Sequence, residues 1–306
     1  MGDIKLGLNL EFARLENQGF DWAMDHAANI GYKYIEPMVH WGRELLSAAG
    51  YFHSRSMLDD PLILKQAAED RGLRISSLSS HAPLAKPDVA VEYLRQSIRY
   101  AAEVGAPMIM VDDGPTPAWT SEDENYILMR YTLQEAALVA EPRGIKIAIE
   151  THGPYTATPE RLDKIMRLID SPALTINLDT GNSYLSGNDP HEWLEQIVGR
   201  VSHLHAKDIS HDDAKRLRGK VRGMLGCACG DGVIDWKRIV GTLTNADHDV
   251  VLSVECASLD AAERSYTYLS ALIDEAKTLS TLVDGAKTTT APDGSPLADI
   301  PSRRTP

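Results

Sequence analysis

The chain has 306 residues, 43% apolar and 25% charged, the composition of an ordinary globular protein with room for two average domains or one large α/β barrel. A formal net charge of −13 excludes a broad nucleic-acid surface, which needs clustered Lys and Arg, but leaves a small anionic substrate open. Three cysteines make no disulfide framework, and with neither a signal-peptide run nor ~20 consecutive apolar residues the expectation is a cytoplasmic protein with no membrane partner.

In chain order, a short apolar strand, a polar loop and an amphipathic helix recur eight times. Strand one is Ile4–Asn9, with a helix over roughly Gly19–Ile30. Strand two is Tyr32–Glu36, and its helix begins near Asp60-Pro61, a cap followed by proline in the first turn. Strand three, Leu73–Ser79, precedes a helix to about Val104 that Gly105 stops. Strand four is Pro107–Val111, and Ser121-Glu-Asp-Glu124 opens its helix as a capping box. Strand five is Ile145–Glu150 and strand six Ala173–Asp179, their helices opened by Thr158-Pro159 and Asp189-Pro190. Strand seven lies within Val201–Asp208. Strand eight, Val250–Glu255, precedes a last helix over roughly Asp260–Leu282.

Crossover-length connections imply parallel strands, and eight parallel strands can close on themselves. The expected fold is therefore a single-domain (β/α)8 barrel, α/β class, over residues 1–282, with an irregular tail over 283–306. A doubly wound open sheet is the competing architecture; Asn9-Leu-Glu-Phe-Ala after strand one offers no G-x-G-x-x-G turn in its favour.

The chemistry centres on strand seven. Period-two alternation places His203, His205 and Lys207 on one face, so that face either meets water or lines a site. Glu150, Asp179, His205 and Glu255 end strands five to eight, and in such barrels the C-terminal strand ends carry the site. Three carboxylates at one rim repel one another unless a divalent cation joins them. The oxygen-rich, single-nitrogen set suits one ion, Mn²⁺ first, with Mg²⁺, Co²⁺ and Zn²⁺ as alternatives. Individually, Glu150 pairing with Lys146 or Lys207, and Asp179 capping the Gly181 turn, are structural readings of the same residues.

The pieces Ile149-Glu150, Asn177-Leu-Asp179-Thr-Gly-Asn182, His205-Ala-Lys207-Asp208, Gly230-Asp-Gly232-Val-Ile-Asp235-Trp236 and Val254-Glu255 resemble the xylose isomerase-like TIM-barrel superfamily. The likeness is to its sugar phosphate isomerase/epimerase group, which includes ketose 3-epimerases and inosose dehydratases. The resemblance implies that Glu150, Asp179, His205 and Glu255 bind the metal. It also implies that a proton leaves carbon next to a carbonyl through a metal-stabilised enediolate, with Glu150 and Glu255 as acid and base. The expected enzyme is a metal-dependent isomerase or epimerase of a small sugar or keto-sugar. The alternatives are a lyase or dehydratase acting on a 3-keto-glycoside or inosose, and a non-catalytic sugar-binding barrel. Asn182 stands where endonuclease IV relatives carry a further His, which argues against DNA repair and against more than one metal.

Other candidates lie near the rim. His152, two residues past Glu150, suits a general acid or base, since an imidazole titrates near working pH; its bland reading is a polar loop residue. His81, His40, Asp112, Asn182 and Arg222 are candidate substrate contacts. Lys207 would hold a substrate oxygen, or else pair with Asp208 or a rim carboxylate. The long connection from Asp208 to Asp235 reads as a lid or as a solvated loop. Cys227-Ala-Cys229 has no second ligand pair, so it reads as turn packing rather than a zinc site. Trp41, Tyr51 and Phe52 would wall a sugar pocket or bury a contact in a homo-oligomer.

Overall fold

The computed structural model describes residues 2–41, 54–221 and 223–288, with the side chains of 280–288 left undescribed. Its strands are β1 (Ile4–Asn9), β2 (Tyr34–Glu36), β3 (Met38–His40), β4 (Ser54–Ser56), β5 (Arg74–Ile75), β6 (Leu78–Ser79), β7 (Met108–Val111), β8 (Lys146–Glu150), β9 (Leu174–Asp179), β10 (Val201–Ala206) and β11 (Val250–Val254). All pair in parallel, in the order β4-β3-β6-β7-β8-β9-β10-β11-β1-β2-β5.

That order is a ring. β2 and β3 are halves of one barrel strand broken at Pro37, which has no N–H for the ladder. β5 and β6 are likewise halves of the next, broken at Ser76-Ser77. Ser76 N–H bonds the Ile35 carbonyl and Ser79 N–H bonds the Pro37 carbonyl, each at 2.9 Å, so the pairing continues across both breaks. Joined this way, the strands make the eight-stranded barrel expected, with β4 added outside β3. The serines and arginine of β4 carry no apolar alternation, and for that reason the sequence reading passed over it.

The helices form where the caps place them. Ser121 and Glu124 make the reciprocal capping box; Asp60, Thr158 and Asp189 each accept an amide of the turn they open. Gly105, in the left-handed region at φ 82°, ends the helix Pro87–Val104 as expected. The last helix continues to Thr288, past the end expected near Leu282; residues 289–306 of the expected tail, with Tyr51, Phe52 and Arg222, lie outside the described residues.

The main apolar core lies between strands and helices, and includes Leu8, Ile35, Ile149, Leu178, Leu204 and Leu252. Inside the barrel there are two layers. A small floor of Met108, Met110, Ala148 and Val251 is apolar. Above it Glu36, Ser77, Asn177, His203, His205 and Ser253 are all buried and polar. A buried polar layer of this kind is retained only where its groups satisfy one another or a ligand.

Candidate metal centre and its surroundings

The two readings of strand seven are decided by burial: His203, His205 and Lys207 are 0%, 2% and 3% exposed, so their face lines a site. A register shift between Val201 and His203 lets Ser202 share the interior as well, bonding Thr175 at 2.7 Å.

β8, β9, β10 and β11 are consecutive neighbours, and their ends bring Glu150, Asp179, His205 and Glu255 together. One ligand atom from each lies within 4.8 Å of all the others. His205 Nδ1 is 3.2 Å from Glu255 Oε2, 3.4 Å from Glu150 Oε1 and 4.0 Å from Asp179 Oδ2. Glu150 Oε2 is buried without a hydrogen-bond partner, and His81 Nε2 lies 3.9 Å from it. Asp179 Oδ2 meets the Lys207 ammonium at 2.8 Å but not in hydrogen-bonding geometry. Glu36, Glu150, Asp179 and Glu255 thus face Lys207 and His205, four acidic groups against two basic ones. The inward Asp179 oxygen, the close spacing and this excess of acidic groups all fit a divalent cation.

Burial and close spacing shift these groups against one another. Burial pushes Asp179 up to about 6, against the pull of Lys207 and helped by Glu255 and Glu150. Burial also opposes charge on His205, yet Glu36 and Glu150 raise it well above the ordinary imidazole range. Glu150 is held below the usual carboxylate range because the His205 charge outweighs its burial.

Asp179 serves two elements at once. Its Oδ1 accepts the Asn182 amide at 2.8 Å, capping the helix Thr180–Leu185, while Oδ2 turns inward. The capping reading therefore holds, and it leaves Oδ2 turned toward the cluster. Lys146 is not Glu150's partner, donating instead to the Pro172 carbonyl at 2.8 Å. Lys207 pairs with Asp179 and with Glu255 Oε1 at 2.6 Å, not with Asp208, and donates to Asn182 Oδ1 at 3.2 Å.

Asp208 organises the long connection. Its Oδ1 accepts the amides of Ile209 and Ile234, and its Oδ2 those of Gly230 and Gly232 and the Trp236 indole, at 2.9–3.2 Å. The returning chain bridges to Cys256 through Gly226, where an added Cβ would lie 2.7 Å from the Asp208 carbonyl oxygen. Gly223, Met224 and Leu225 then cover part of the mouth, and Cys229 packs buried as a free thiol.

Beside the carboxylates stands a second group. Asp112 lies between two imidazoles, Oδ1 at 3.3 Å from His81 Nδ1 and Oδ2 at 3.1 Å from His152 Nδ1. Burial alone would raise Asp112, but the two rings outweigh it and hold it well below the carboxylate range. His81 Nε2 meets Ser79 Oγ at 3.0 Å, whereas His152 Nε2 faces Gly223 of the loop, where a Cβ would come within 3.1 Å.

The mouth is a cavity of about 470 Å³ whose lining includes Glu11, His81, Asp112, Glu150, His152 and Lys207. His40 ends β3 with its carbonyl bonded to the Met57 amide, and is not among the lining residues. A larger cavity of about 850 Å³ opens at the opposite end of the strands, by Lys5, Arg74 and Lys146, remote from this chemistry. Glu36 is the residue that the sequence reading missed. It ends β2 and crosses the interior to His205 Nε2 at 3.1 Å and His203 Nε2 at 3.3 Å. The signal that could have found it is its position, since Glu36 ends strand two as Glu150 ends strand five.

Residues 24–273 match the family described as xylose isomerase-like TIM barrel. An inosose dehydratase of Geobacillus kaustophilus is 25% identical over 275 residues, covering 81% of this chain and 88% of that protein. Among solved structures, a D-tagatose 3-epimerase-like protein has a TM-score of 0.68 at 23% identity, covering 90% of this chain and 98% of its own. The IOLI protein with a bound zinc atom has a TM-score of 0.63 at 20% identity, covering 93% and 98%. These two structural likenesses are of fold.

Proposed function

The chain belongs to the xylose isomerase-like TIM-barrel family, and from that premise we propose that it is a metal-dependent dehydratase of a cyclic or glycosidic keto-sugar. It would remove a proton next to the carbonyl and expel a β-hydroxyl as water. One asymmetry carries this reading. Glu255 is tied to Lys207 at 2.6 Å, while Glu150 Oε2 is unpartnered and flanked by the His81–Asp112–His152 group.

Glu150, Asp179, His205 and Glu255 would hold the divalent cation, which when bound polarises the substrate's carbonyl and hydroxyl oxygens. The donor set favours Mn²⁺, and the zinc-bound relative makes Zn²⁺ the ion to test beside it. Glu150 Oε2 takes the α-proton. The C–H electron pair becomes the new C=C, the β C–O bond breaks, and His152 Nε2 delivers a proton to the departing oxygen. Asp112 holds both rings through their Nδ1 atoms, which leaves the Nε2 of His152 for substrate. Asn182 donates to Glu150 Oε1, and Lys207 pairs with Asp179 and Glu255, which would hold these carboxylates in place. The inosose dehydratase relatives make inososes the first substrates to try.

The second reading is epimerisation, which the presence of a second inward glutamate, Glu255, favours. Incubation of Mn²⁺-loaded protein with inososes, 3-keto-glycosides and ketoses in D₂O, followed by NMR, separates the two. Loss of water to an unsaturated ketone or dione is the expected result. Deuterium entering with inversion, and no water lost, would replace the dehydratase by the epimerase.

A further inference from the structure

We infer that Glu36 is the positioning residue that sets the tautomer of His205, leaving its Nδ1 lone pair aimed at the cation. The inference rests on the ligand set proposed above. Glu36 is fully buried at the end of β2 and acts from across the barrel. Its Oε1 lies 3.1 Å from His205 Nε2, and its Oε2 accepts the Ser253 hydroxyl at 2.8 Å. An ionised carboxylate only accepts hydrogen bonds, so the hydrogen of this contact belongs to His205 Nε2.

Asn177 Oδ1 faces His203 Nδ1 at 2.9 Å, and the Asn177 amide nitrogen lies 3.2 and 3.5 Å from His205 Nδ1 and Nε2, beside both ring nitrogens and committed to neither, so the Glu36 contact sets the tautomer. Nε2 thus carries hydrogen and Nδ1 the lone pair. That lone pair looks onto Glu255 and Glu150 at 3.2 and 3.4 Å, a repulsive arrangement that a cation between them turns into ligation. A carboxylate behind a metal-bound imidazole fixes ring orientation and strengthens the ligand, and its loss costs ~10–100-fold in metal affinity. Glu36, His203 and His205 are also close enough to be read as a second cation site. The hydrogen-bond reading is preferred because both Glu36 oxygens already face donors.

The test is calorimetric titration of Zn²⁺ into the metal-stripped full chain, with ¹⁵N-histidine NMR of the zinc-bound protein. Wild type should bind one ion with His205 as the Nε2–H tautomer. Glu36→Gln should lose about 10–100-fold in affinity and shift the His205 ring nitrogens. Ser253→Ala, which leaves the carboxylate but frees one oxygen, should lose less and covers the case in which Glu36→Gln does not fold. Wild-type affinity and ring shifts in both variants, alongside lost binding in Glu150→Gln, would overturn the role of Glu36 alone. Two ions in wild type, one of them lost in Glu36→Gln, would make Glu36 a ligand and equally overturn it. Unchanged binding in Glu150→Gln would remove the ligand set itself.

Discussion

Five N–H donors converge on the carboxylate of Asp208, which is fully buried. Removing it strips five donors of their acceptor, those of Ile209, Ile234 and Trp236 in the buried interior. Asp208→Ala is therefore expected to cost about 3 kcal/mol or more of unfolding free energy, measured in urea. A loss below about 1 kcal/mol would show that the loop has other anchors. Asp113 behaves in the opposite sense. Burial pushes it up to about 6, only partly offset by the Tyr155 amide it accepts at 2.6 Å. Its folded pKa lies above its unfolded value near 4, so the folded state holds the proton more tightly. Stability is then lost as pH rises from about 4 to about 6, and stays lower above that. Asp113→Asn keeps an acceptor for Tyr155 and should flatten this slope, adding about 1–3 kcal/mol at pH 7. An unchanged pH profile of Tm in the variant would contradict the assignment.

At the scale of elements, what the sequence revealed depended on periodicity. Apolar runs separated by capped helices were legible, and with them the neighbouring ends of β8 to β11, so the grouping of Glu150, Asp179, His205 and Glu255 followed from strand order. Glu36 escaped because its strand is not a neighbour of β8 to β10, so strand order does not announce its reach across the interior to His205, and Asp208 because a carboxylate beside a lysine reads as an ion pair. Its partners include three backbone amides more than twenty residues later, which no spacing announces. The burial of Lys207 was hidden for a similar reason, since its partners come from β9 and from beyond β11. The loop that Asp208 pins touches the site through Gly226, whose Cβ position is filled by the Asp208 carbonyl and the Lys207 side chain. Gly226→Ala should displace this seat and lower kcat/KM about tenfold or more, about 1.4 kcal/mol of transition-state stabilisation. Full activity in that variant would separate the loop from catalysis.

For the whole molecule, barrel closure gathers negative charge where the acidic chain can least tolerate it, and the proposed cation would compensate it. A ligand that binds only the folded state stabilises it, by about 2.7 kcal/mol at a concentration of one hundred times Kd. Mn²⁺ should accordingly raise Tm and chelation should lower it, with neither effect in Glu150→Gln or His205→Ala. Those two variants are also expected to lose turnover while keeping the fold by circular dichroism. An equal response of Tm to Mn²⁺ in wild type and in both variants would place the ion elsewhere.

The most direct measurement is an anomalous-difference map from crystals of the full chain grown with Mn²⁺. The expected result is one peak per chain, about 2.0–2.3 Å from oxygens of Glu150, Asp179 and Glu255 and from Nδ1 of His205. A peak remote from these four side chains, or bound through Nε2 of His205 beside Glu36, would contradict the site from which the proposed chemistry is built.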